Sequence, residues 1–222
     1  QDLGRFGYQK SGMTCSGVMD TAAYRKANYL VGNEEGAAVL EMTLYGGSCR
    51  FEEETVIALT GADMQPTVNQ KPIVMNQAVK VPAGGVLNLG MAKTGCRAYL
   101  AVAGGFEVPK VMGSYSTNLK CGIGGHEGRA LQMADELPIG EALHSWDEVK
   151  DRKVSVPDYP KEVLVSVVPG PQEEYFTEAG IHHFYSESYV ARKLVELSSA
   201  KVDENCDYKK ELLAFEKSSG IS

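Results

Sequence analysis

The densest potential chemistry in this sequence lies where glycine meets hydroxyls and charge. GSYSTN (113–118) is followed almost at once by GIGGHEGR (122–129). Successive backbone amides in glycine turns form concave nests for anions, and Ser114, Ser116, Thr117 and Arg129 would add donors. The competing reading is a pair of tight turns between strands, which the same residue types favour. Neither segment is a P-loop, because no Gly-Lys-Ser/Thr follows the glycines. AVAGGF (101–106) and TGAD (60–63) are further glycine-marked strand ends, and Thr60 either hydrogen-bonds a substrate or caps its turn.

Two carboxylates are candidates for proton handling. Glu41 stands among apolar neighbours in AAVLEMTLY, so it faces either a cleft or the solvated side of an edge strand. Asp20 either caps a helix or belongs to a site. Asn28 and Asn33 are polar anchors or ordinary residues of a helix end. His182 and His183 are adjacent and diverge by about 100° on a helix, which is poor geometry for joint ligation, and no metal is expected. No G-x-S-x-G elbow is present.

Glycine divides the elements that must position these groups. Of 24 glycines, 21 lie at or before Gly140, and residues 1–140 carry 12 basic and 13 acidic residues against 10 and 16 in 141–222. The first part therefore reads as short strands and tight turns, the last as acidic and more helical. Asp20 opens a helix over TAAYRKANYLVG, with alanines inside it and Gly32 suited to the left-handed residue that ends it. AAVLEMTLY, TVIALTG, GVLNLG and CRAYLAVAGG read as strands, and close spacing predicts a barrel or sandwich. The charged, proline-containing stretch after residue 144 reads as a linker. Beyond it come one strand (KEVLVSVVPG), a short helix beside Pro171, and two helix-prone segments, ARKLVELSSA and YKKELLAFEK.

The net charge of −7 argues against non-specific nucleic-acid binding. No apolar run approaches the ~18 residues of a membrane span, and no secretory leader is visible. Five widely spaced cysteines without a C-x-x-C pair read as reduced thiols, which places the chain in the cytoplasm.

Taken in order, QDLGRFGYQ, SGVMD, ANYLVGN, LEMTLYGG, TGAD, RAYLAVAGGF, VMGSYSTN, GIGGHEGRAL and VVPGPQEEYF resemble the biotin-dependent carboxyltransferase family. That family includes the C component of bacterial 5-oxoprolinase and is also described as allophanate hydrolase subunit 2-like or urea amidolyase-related. The resemblance implies a mainly β fold of cyclophilin-like β-barrel units with a few short helices. It gives a first barrel over 1–145, a linker over 146–162, and a partial second barrel with a helical tail over 163–222.

Three activities are implied. The leading one is ATP-dependent conversion of 5-oxoproline to glutamate together with the A and B subunits, with the chain inactive alone. The second is carboxyl transfer from biotin on a separate carrier, since no Met-Lys dipeptide occurs here. The third is regulatory, as an antagonist of a sporulation-kinase inhibitor. ATP is implied as cofactor, bound here or on a partner. By the family's blocks the cleft residues are Arg5, Asp20, Asn28, Glu41, Thr60, Ser116, Thr117, Arg129 and Gln172. Asp20 and Glu41 would handle protons, and the arginines would hold carboxylate or phosphate. Family members usually carry a strand before QDLGRFGYQ and a glycine- and proline-rich β region after the PGPQ block. A segment is therefore expected to be missing near 189–191.

Overall fold

A computed structural model describes residues 1–156 and 164–186. They fall into two compact units that divide after residue 162. The expected break near 189–191 and the segments ARKLVELSSA and YKKELLAFEK lie outside the described residues.

The first unit is mainly β, as the sequence predicts. Its first helix, α1 (Thr21–Val31), starts where Asp20 accepts from the Ala23 N–H and ends at Gly32 with φ 77°. Eight strands follow: β1 (Leu40–Thr43), β2 (Ser48–Arg50), β3 (Thr55–Asp63), β4 (Thr67–Val68), β5 (Lys71–Pro72), β6 (Ala78–Val81), β7 (Val86–Asn88) and β8 (Thr94–Val102). They form two antiparallel four-stranded sheets, ordered β1-β8-β3-β6 and β2-β7-β4-β5.

The central strands β3 and β8 read as unbroken apolar runs because both of their faces are covered. Alternation sends Val56, Ala58, Tyr99 and Ala101 to the side of α1, where they meet Tyr24, Ala27 and Leu30. The other parity, Ile57, Leu59, Ala98, Leu100 and Val102, packs with Val68 and Leu87 of the second sheet, with Phe51 and Leu89 next to its strands, and with Val81 of β6. Burying a side chain such as Leu30 stabilises this arrangement by about 1.5–3 kcal/mol. The pairing of β3 with β8 shifts register between Gly61 and Asp63, a bulge that bends the strand end.

Within the expected linker, α2 (Trp146–Val149) begins at a capping box formed by Ser145 and Glu148. Val149 is fully buried against α1's cluster, and Val154 donates its N–H to the Asn76 carbonyl. This stretch therefore folds onto the first unit.

In the second unit, residues 164–170 form no strand, unlike the reading of KEVLVSVVPG, whose residues 161–163 are not described. Among the described residues they have no neighbouring strand to pair with, and Leu164, Val165, Val167 and Val168 are exposed. A single turn of 3₁₀-helix (Glu173–Tyr175) and α3 (Glu178–Ser186) follow. Among the described residues no helix is long and apolar enough to cross a membrane.

Candidate functional site

Parity along β3 decides where the first site residue goes. Thr60 continues the series Val56 and Ala58, so its side chain faces α1, where its hydroxyl donates to the Ala23 carbonyl at 2.8 Å. Between the start of α1 and this part of β3 lies a recess of about 60 Å³ lined by Asp20, Ala22, Ala23, Lys26, Thr60, Gly61 and Asn76. Gly61 and Asn76 also line a larger groove of about 700 Å³, whose walls include Asp63, Gln65, Ile73, Met75 and Val156.

The polar groups of the recess differ in how far they are occupied. One Asp20 oxygen caps α1 through the Ala23 N–H at 2.9 Å. The Lys26 ammonium has no hydrogen-bond or ionic partner among the described residues. Asn76 is 5% exposed, sits at φ 61° and is clamped by its backbone, donating N–H to the Leu59 carbonyl at 2.8 Å. Its Oδ1 is buried without a partner.

Glu41 pairs across the strands with Tyr99, which sets its side chain on the α1 face rather than the solvated one; it is 12% exposed. Its Oε2 accepts from the Met19 N–H at 2.8 Å and the Tyr99 hydroxyl at 2.9 Å, and its Oε1 from Arg97 at 3.0 Å. The same Tyr99 oxygen accepts the Asp20 N–H at 2.8 Å. Burial, reinforced by the neighbouring carboxylates, pushes the Tyr99 phenol above its ordinary range, so it remains a donor. Glu41 thus reaches Asp20 through Tyr99 and fixes the turn that enters α1; with three donors on it, it positions that turn.

A second cluster gathers around Asp2. Its carboxylate accepts from the hydroxyls of Ser114 and Ser116, both at 2.6 Å, and from the N–H groups of Tyr115 at 2.8 Å and Gly4 at 2.9 Å. Burial alone would raise its pKa, but these four donors hold it below the ordinary value. Arg5 is 1% exposed; its Nη2 donates to the Ser116 carbonyl and its Nε to that of Val111. Nη1 is buried without a partner. Ser116 and Arg5, expected to meet a substrate or anion, join the opening segment to the GSYSTN turn through the Ser116 hydroxyl and the Arg5 Nε and Nη2, and both residues are buried.

The other expected residues are dispersed. Asn28 donates to the Ala37 carbonyl at 3.1 Å and accepts from Asn33 at 3.0 Å, so its buried amide ties the helix end to the next segment. Arg129 is gripped by Asp135, through bonds of 2.7 and 2.9 Å, and by Glu127. Its side-chain bonds to Arg129 and the Gln132 N–H hold the Asp135 carboxyl well below the usual range. Thr117 packs against Gly125. Gln172 belongs to the second unit and is exposed. The structure brings Asp20 and Thr60 together at the recess, with Glu41 behind them; it does not bring Arg129 or Asn28 there.

ATP, implied by the resemblance, can be tested against these loops. Ser114, Ser116 and Arg129, with Arg5 packed behind them, already hold carboxylates or carbonyls, so the two glycine loops do not fit a triphosphate. Lys26, Asn76, Tyr99 and Asp2 escaped sequence reasoning. Lys26 follows Ala22 and Ala23 by four and three residues on α1, a spacing that puts all three on one helix face. Asn76 carries no local signal, since only the tertiary fold brings it to β3.

The family model for the carboxyltransferase domain, subdomains A and B, matches residues 11–196. The sequence is 40% identical over 189 residues to the C component of the 5-oxoprolinase of Escherichia coli K12, covering 83% of this chain and 58% of that protein. It is 37% identical over 194 residues to urea amidolyase of Saccharomyces cerevisiae, covering 84% of this chain and 11% of that protein. The crystal structure of Kluyveromyces lactis urea carboxylase matches with a TM-score of 0.69 at 34% identity, covering 84% of this chain and 18% of that one. The chain thus spans little more than half of the shorter of these two curated relatives.

Proposed function

The chain belongs to the carboxyltransferase-domain family, subdomains A and B, and we propose that it acts as the C-type component of an ATP-dependent 5-oxoprolinase, opening the lactam of 5-oxoproline to glutamate. The observation that carries this reading is its 40% identity to a 5-oxoprolinase C component. In this reading the chain works in the cytoplasm with the A and B subunits and is inactive alone. Its own contribution is to hold and orient the amide: the recess beside Asp20, Lys26 and Thr60 supplies the binding groups, and nucleotide chemistry resides on a partner. The free thiols of Cys15, Cys49, Cys96 and Cys121 support a reducing compartment.

Reconstitution tests it. Purified A and B subunits should convert 5-oxoproline with ATP only when this chain is added. Turnover that is the same with and without the chain would reject the proposal.

A second reading is favoured by the urea amidolyase relative and by the groove of about 700 Å³ adjoining the recess, a size suited to a small-molecule group. In it, the chain passes a carboxyl group from biotin on a separate carrier to urea. Isotopic label leaving a carboxylated carrier for urea in the presence of this chain would support it; retention of the label would reject it.

A further inference from the structure

No further inference is drawn: the strongest candidate, the groove of about 700 Å³ between the bulged end of β3 and the segment from β5 to β6, is walled mainly by apolar residues with Asp63 as its one charged side chain among the described residues, and nothing in the structure shows what covers it.

Discussion

Replacing Gly61 by alanine tests how the bulge of β3 shapes the recess. At φ 83° an L-residue costs about 1–2 kcal/mol relative to glycine. The new Cβ would collide with the Arg97 carbonyl oxygen and stand 3.3 Å from the Ala98 Cα. Both are backbone atoms of β8, so the strands must part, at about 1–3 kcal/mol for overpacking of this kind. The expected loss is therefore about 2–5 kcal/mol. Gly84→Ala separates the two contributions: its φ is 73°, but nothing lies within 4 Å of the added Cβ, so only the first about 1–2 kcal/mol applies. Urea unfolding of both variants reads the difference. With a slope near 2 kcal/mol per molar, the Gly61→Ala midpoint should fall by roughly 1–2.5 M and that of Gly84→Ala by roughly 0.5–1 M. Equal midpoint losses would refute the contact argument, and an unchanged Gly61→Ala midpoint would refute the whole account of the bulge.

Two further outcomes are expected. Asp2 has a folded-state pKa below its ordinary value, so its stabilisation is complete above about pH 4–5 and is lost as pH falls through the folded value. The stability gap between the wild type and Asp2→Asn should therefore be flat near neutrality and shrink below about pH 4, and a gap constant down to pH 2 would contradict the four-donor picture. Asn28→Ala strips a buried partner from the Ala37 carbonyl and from Asn33 and should cost about 1–3 kcal/mol in thermal unfolding with KM unchanged in the reconstituted complex. A raised KM at full stability would return Asn28 to the substrate.

The parts of the fold that announce themselves locally were legible in the sequence. Asp20 and Gly32 bracket α1 because capping and left-handed termination depend on single residue types. The apolar runs of β3 and β8 stand out because both faces are buried. β4 and β5, two residues each, carry too little pattern to see, and KEVLVSVVPG shows the converse, since β-branched residues favour a strand but cannot supply its neighbour. The site divides in the same way. Asp20 and Thr60 were visible by type and position, whereas Glu41's face was open until pairing with Tyr99 decided it. Arg5, Ser116 and Arg129 were chosen for their donors, yet Ser114–Ser116, Asp2, Glu127 and Asp135 show that a donor-rich loop can satisfy itself.

Asp20 both caps α1 and forms part of the recess wall, and this has a consequence for mutational drift. Asparagine, serine and threonine also cap helices well, so changes to them would leave folding nearly untouched while removing the negative charge from the recess. A screen for well-folded variants would pass such chains, and their loss of ligand preference would accumulate unseen by any melting curve.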